Sequence, residues 1–317
     1  MPARRVHRMT HDVRVAAPAS TVYALIADPL KWPFFFSPSV HVERLEPDGD
    51  RERLRMWALM DDRVTSWISW RRLTPGQRRV EFGQEHPAPL LHSMTGAWSV
   101  HVRGEHDSRL VLDHDFSVVD DRPENTAWAE RVTDRTSRIE LAELKNIAER
   151  WTVLDELMFS FQESVRVKGP PELVYDFLYR VGDWPGLVPH VTRVDFVEES
   201  PGVQRATVHT HTEAGPHTSR SVRICFPHAG RIVYKQTPDR PLPTTHIGEW
   251  VVLPDETGVT VLAEHHVLLD EADIAAVLGE GTSIAQARRH VRQTLRHESL
   301  TLLTLARQHA ETAIRML

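Results

Sequence analysis

The chain has 317 residues, 41% hydrophobic and 26% charged, with a formal net charge of −6 at pH 7; this is the make-up of a folded soluble protein long enough for two domains of about 100 to 200 residues. Arginines and lysines are interspersed with acidic residues, so neither a nucleic-acid tract nor a polybasic membrane segment is expected. The basic start MPARRVHRM has no apolar stretch behind it and no later segment reaches membrane-spanning length, which makes the cytoplasm the expected compartment.

In chain order, the first predicted element is an alternating strand over residues 11–16. It runs into Ala17-Pro18-Ala19-Ser20, where a proline near the first turn and a possible serine cap start a helix with Val22, Leu25 and Ile26 on one stripe. Pro29 and Pro33 then break the chain into a second short helix or turn. Alternating segments follow at 40–45, 54–60, 64–73, 79–84, 91–102 and 110–119, separated by turn signals such as Pro47-Asp48-Gly49 and Pro75-Gly76, which reads as an antiparallel meander. A Glu- and Arg-rich helix over 123–150 closes this half.

The second half repeats the first. A constant shift of 152 residues carries Trp32-Pro33 onto Trp184-Pro185 and Gly96-Ala97-Trp98 onto Gly248-Glu249-Trp250 without a gap. The same shift pairs Val22-Tyr23 with Val174-Tyr175, Arg71 with Arg223, Gln84 with Gln236, Pro89 with Pro241 and His114 with His266. Such register implies duplication of one fold. The second copy adds an insertion around 270–281 and a terminal helix over about 283–317.

Strand, two short helices, six-stranded meander and long helix is the order of a helix-grip fold, in which a sheet bent around its last helix leaves a mostly apolar cavity for a small molecule. In the strand over 64–73, Trp67, Ser69 and Arg71 are spaced by two and share a face; alternation alone could equally turn Ile68 and Trp70 inward. The corresponding strand of the second copy keeps Ser221 and Arg223 but has Ser219 in place of the tryptophan.

The W-x-S-x-R strand, the Trp32-Pro33 element and the Gly96-Ala97-Trp98 strand together resemble the bacterial type II polyketide synthase aromatase/cyclases of the START/Bet v 1-like superfamily, in their two-domain form. The resemblance covers nearly the whole chain. It implies an α+β protein of two tandem helix-grip domains, 1–155 and 156–317, each a curved antiparallel sheet wrapped around a long C-terminal helix with two short helices. The first is expected to be catalytic, the second structural or a secondary site. The implied activity is regiospecific aldol cyclisation, with C7–C12 closure suggested, and dehydration of a poly-β-ketone tethered to an acyl carrier protein. The minimal synthase subunits would be its other partners, and no cofactor or metal is needed.

Carried over residue by residue, the resemblance makes Arg71 the holder of a carbonyl or enolate oxygen, with Ser69 bonding the same oxygen or a water. Trp67, Trp98, Phe35, Met94 and Trp32 would line the first cavity; Arg223 and Ser221 would bind in the second. A proton carrier is also required, for which His92, His114 and Tyr23 are candidates by location. Arg51, Arg53 and Arg55 are candidates for carrier-protein contact near a cavity mouth. Cys225 lacks any catalytic motif and reads as a small buried residue. His209 and His211 share a strand face, but no third ligand accompanies them, so no metal is expected. The competing readings are a non-catalytic carrier of lipid or another hydrophobic ligand, which a fully apolar cavity would favour, and a scaffold for partner subunits, which filled interiors would favour.

Overall fold

The computed structural model describes residues 5–60, 62–212, 215–238 and 242–315. Residues 1–4, Pro241 and residues 316–317, which the sequence patterns above include, lie outside them. The chain divides into two compact units, Met1–Leu154 and Asp155–Leu317.

The first unit runs β1 (His7–Val15), α1 (Ala19–Ala27), α2 (Trp32–Phe35), β2 (Ser39–Asp48), β3 (Arg51–Met60), β4 (Arg63–Thr74), β5 (Arg79–Gln84), β6 (Leu91–Gly104), β7 (Asp107–Val118) and α3 (Pro123–Ala148). After α4 (Leu154–Leu157), the second unit repeats the order: β8 (Met158–Val167), α5 (Pro171–Tyr179), α6 (Trp184–Leu187), β9 (Val191–Ser200), β10 (Val203–Thr212), β11 (Gly215–Phe226), β12 (Arg231–Pro238), β13 (Thr245–Asp255) and β14 (Gly258–Leu268). It closes with α7 (Glu271–Leu278), which fills the insertion, and α8 (Ile284–Arg315). The sheets are antiparallel, ordered β1-β7-β6-β5-β4-β3-β2 and β8-β14-β13-β12-β11-β10-β9. Their meanders follow from strands joined by short turns, while the first strand of each copy pairs with the last and so needs only one long-range closure. No helix among the described residues is long and apolar enough to cross a membrane.

Each long helix lies against the first and last strands of its sheet, and the first short helix packs beside it. α3 buries Ala129, Thr133, Ser137, Leu141, Leu144 and Ala148, a stripe at helical spacing. The aromatic that crosses each sheet explains the repeated glycine: a Cβ at Gly96 would sit 2.5 Å from Phe82 Cζ, and one at Gly248 would sit 2.0 Å from Tyr234 Cζ.

One correspondence implied by the constant shift does not hold. Gly96 pairs with His114, whereas Gly248 pairs with His265 rather than His266. The hairpin joining β13 to β14 is one residue shorter, and a single-residue slip turns every later side chain to the other face. His265 therefore holds the interior position of His114.

Candidate functional site

The ladders decide which side chains of β4 face the helices. Arg71 lies opposite Glu52 and Phe82, and Ser69 opposite Leu54 and Gln84. Arg71 reaches the end of α1, and Arg71 is 1% exposed and Ser69 8%. Trp67, opposite Met56 on the same face, is half-buried.

Arg71 is heavily committed. Its Nε donates to Glu52 Oε2 at 2.7 Å, Nη2 donates to Ala27 O at 2.6 Å and pairs with Glu52 at 2.6 Å, and Nη1 donates to Ile26 O at 3.3 Å. Ile26 and Ala27 end α1, so the guanidinium caps the carbonyls that a helix leaves unpaired at its C-terminus, where a cation also opposes the helix dipole. This leaves one Nη1 proton uncommitted among the described residues. Trp32 reinforces the same helix end, since its indole Nε1 donates to Leu25 O at 3.3 Å and its ring lies 5.9 Å from the Arg71 guanidinium.

The other expected lining residues spread along the inner face. Trp98, buried, stands between Val80 and Leu112, and Phe35 is buried at the end of α2. Met94 packs with Phe116, Trp128 and Ala129 beneath the amino-terminal part of α3. Of the candidate proton carriers, His92 is exposed. Tyr23 is half-buried, and its hydroxyl has no hydrogen-bond partner among the described residues. Arg51, Arg53 and Arg55 alternate with the inward Glu52, Leu54 and Met56 and so leave the sheet on its outer side. There Arg51 covers Trp70, Arg53 is held by Glu85 at 2.6 and 2.8 Å, and Arg55 lies over Trp57.

His114, one of the candidate proton carriers, lies on β7 against α3, whereas Glu140 on α3 is an acid that the sequence reading did not name. Ser137 Oγ lies 3.5 Å from His114 Nδ1, and burial pulls His114 down to about 4, so this imidazole is neutral at pH 7. Glu140, one turn beyond Ser137 on the flank of the buried stripe, is pushed up to about 8 by burial, with Glu143 adding to the shift. A carboxyl that is mostly protonated and an imidazole that is mostly neutral are an acid and a base whose environments have shifted their pKa values in opposite directions. The sequence signal was an acidic residue three positions after a serine on an otherwise apolar helix stripe.

The second unit repeats the frame with altered chemistry. Arg223, 2% exposed, donates from Nη2 to Leu178 O at the end of α5, and Trp184 Nε1 donates to Phe177 O at 2.9 Å. Opposite Arg223, however, stands Gln204, where the first unit has Glu52. Nε and Nη1 of Arg223 are left without hydrogen-bond partners among the described residues. Ser221 is half-buried opposite Gln236. His246, at the position of Met94, joins a buried chain: Nδ1 lies 2.7 Å from Gln236 Oε1, Nε2 lies 3.0 Å from His265 Nδ1, and His265 Nε2 lies 3.0 Å from Ser299 Oγ. Cys225 is buried and its thiol is pushed up to about 11 by burial, which makes it a poor nucleophile. His209 is engaged by Asp195 and Thr218.

The sequence profile of the family described as "Polyketide cyclase / dehydrase and lipid transport" matches twice, over residues 6–149 and 158–297. A granaticin polyketide synthase bifunctional cyclase/dehydratase from Streptomyces violaceoruber is 36% identical over 99% of this chain and 97% of its own. An actinorhodin polyketide synthase bifunctional cyclase/dehydratase from Streptomyces coelicolor is 39% identical over 97% and 96%. Among solved structures, the di-domain ARO/CYC BexL from the BE-7585A biosynthetic pathway superposes with a TM-score of 0.87 at 41% identity, covering 96% of this chain and 99% of BexL. The di-domain ARO/CYC StfQ from the steffimycin pathway gives 0.83 at 30% identity, with 96% and 99% covered. With both halves matched by the family profile and full-length relatives above 30% identity, the chain belongs to the polyketide cyclase/dehydrase and lipid transport family.

Proposed function

We propose that the protein is a cofactor-independent aromatase/cyclase that closes a ring in a poly-β-ketone by intramolecular aldol reaction, at C7–C12, and removes water to aromatise it. The substrate arrives on an acyl carrier protein as the product of a type II polyketide synthase, and the first unit carries the reaction. The observation behind this reading is the polar set of that unit: Arg71 and Ser69 buried on β4, neutral His114 on β7 against Ser137, and protonated Glu140 on α3.

A methylene between two carbonyls is acidic, so the chemical difficulty is choice of partners. The side chains of Trp67, Trp98, Phe35, Met94 and Trp32 would select one folded conformer, and such positioning is worth on the order of 7 to 11 kcal/mol in favourable cases. His114, whose Nε2 has no hydrogen-bond partner among the described residues, takes the methylene proton. The C–H electron pair forms the enolate, whose charge the buried Arg71 and the Ser69 hydroxyl steady. The enolate carbon attacks the distant carbonyl, and Glu140 protonates the resulting alkoxide. The Glu140 carboxylate then takes a second α-proton while the protonated His114 returns its proton to the hydroxyl that leaves as water, which gives the conjugated ring and restores both residues to their starting forms.

The test is reconstitution with a minimal synthase and analysis of product connectivity. The wild type is expected to give one ring-closed, dehydrated product, and the His114→Asn/Glu140→Gln double variant a mixture matching the enzyme-free reaction. A wild-type mixture identical to the enzyme-free one would refute the activity, and a fully active double variant would refute the site.

A further inference from the structure

We propose that the cleft between the start of β8 and the start of α8 is a binding site for a phosphate ester, whose phosphate sits among the guanidinium groups of Arg288, Arg289 and Arg292 and whose organic part lies on the ring of Phe159. The cleft has a volume of about 230 Å³ and is lined by these four residues with Ser160 and Ala285. It opens on the outside of the second unit: Ser160 is exposed, while the next residue, Phe161, turns the other way to stack on the buried His265 at 4.7 Å. Arg288 donates to the Glu156 carbonyl at 3.2 Å, and none of the three arginines forms an ion pair among the described residues. Two of them are held at the cleft by aromatic rings. The Arg288 guanidinium lies 5.1 Å from the Phe159 ring and that of Arg292 lies 5.3 Å from the Phe161 ring.

The first unit shows that the fold has no need of these charges. Along the buried sides of the two long helices, Ala129, Thr133 and Ser137 of α3 recur as Val291, Leu295 and Ser299 of α8. In that register Arg288, Arg289 and Arg292 stand where α3 has Thr126, Ala127 and Glu130. The amino-terminal end of a helix favours negative charge. α3 follows that rule with Glu124 in its first turn, whereas α8 has no acidic residue there and brings three like charges to one cleft, where they repel one another. One turn further along, α8 shows the usual remedy. Arg296 pairs with Glu163 at 3.4 Å, in the place where the first unit pairs Asp134 with His11 at 2.9 Å. The cleft arginines lack such a partner, and an anion supplies it.

The donors choose the anion. A guanidinium presents a planar fork that matches two oxygens of a phosphate, and a cluster of forks around one group is the arrangement by which arginines recognise phosphate. Phe159 offers an apolar floor for whatever the phosphate carries. Under the reading of the chain as an enzyme of carrier-bound poly-β-ketones, the ester is the phosphodiester that joins a pantetheine arm to its carrier protein, and a free phosphoester presents the same chemistry. The choice of bearer rests on that reading; the phosphate site does not.

The probe is phenyl phosphate, titrated calorimetrically into the full chain in phosphate-free buffer, with phenol and inorganic phosphate as controls. It is expected to bind about tenfold or more tightly than phenol and about threefold or more tightly than inorganic phosphate, through its contact with Phe159. Arg288→Thr/Arg289→Ala/Arg292→Glu, which copies the helix face of the first unit, should weaken phenyl phosphate about tenfold or more. Arg292→Gln should weaken it about threefold or more and carries the same test if the triple variant unfolds. Arg8→Ala, which removes an exposed arginine of the first unit, should bind as wild type does. Phenyl phosphate bound no more tightly than either control, unweakened binding by the folded variants, or a matching loss on Arg8→Ala would overturn the proposal. With phenyl phosphate bound, tighter binding of holo- than of apo-acyl carrier protein makes the carrier arm the bearer, and equal binding of the two forms makes it a free phosphoester. A carrier protein that binds where phenyl phosphate does not would show a docking face for acidic protein surface instead, and would also overturn the phosphate site. Failure of ring closure in reconstitution with this binding pattern intact would refute only the activity proposed for the first unit.

Discussion

Glu140 sets the pH behaviour of the first unit. Its folded-state pKa, about 8, lies above the ordinary carboxylate value of 4.5, so the folded state holds a proton that the unfolded chain releases. The associated stability is fully present below about pH 4.5 and is lost as pH rises through about 8. Glu140→Gln keeps the donor without the ionisation, so its melting temperature relative to wild type should climb steadily between about pH 5 and pH 9. In the proposed reaction His114 works as base above about pH 4 and Glu140 as acid below about pH 8, giving a bell with limbs near those values. Glu140→Gln should remove the upper limb and slow turnover by about 10²-fold or more. An upper limb that persists in Glu140→Gln would assign it elsewhere. Arg71 is a different case, because its substitution also uncaps α1: Arg71→Ala should cost about 2 kcal/mol in chemical denaturation. Its effect on product is informative only beside that loss.

The Trp-Pro element shows why a motif repeats. The proline sits in the first turn of the second short helix, where its missing N–H costs nothing, and the tryptophan that precedes it folds back to donate its indole N–H to a carbonyl of the helix just finished, Leu25 in one copy and Phe177 in the other. The arginine on the facing strand caps the neighbouring carbonyls. The second bond is shorter and buried, so Trp184→Phe should lose about 1 kcal/mol in urea unfolding and Trp32→Phe less. Equal losses would show that ring packing, common to both, dominates. These elements were legible in sequence because proline, turn residues and period-two alternation are local signals. What alternation could not say is which face of β4 the helices cover, so Ser69 and Arg71 or Ile68 and Trp70 were equally admissible until the ladders placed Arg71 against Glu52 and under α1.

Across the whole molecule the two units divide polar chemistry unequally. His246 and His265 are both buried, and burial holds both below the ordinary histidine value, His265 at about 4. Their stabilising effect is present above about pH 6.5 and lost as pH falls, because the unfolded chain takes up protons that the folded one refuses. His246→Met, which copies the first unit, should reduce the proton uptake on unfolding at about pH 5 by about one; unchanged uptake would mean that His246 is charged in the folded state. The sequence by itself determined that one fold is used twice, because a shift of 152 residues keeps tryptophans, prolines and arginines in register and covalent order is a local property. Only the tertiary structure decided which arginine is neutralised, since Glu52 and Gln204 stand opposite Arg71 and Arg223 across a strand ladder, and which histidine faces inward, since one residue lost from a hairpin moved His265 into the place assigned to His266. The ionisation of Glu140 was likewise beyond sequence: it depends on how much protein surrounds the carboxyl, a property of the packed whole rather than of any segment.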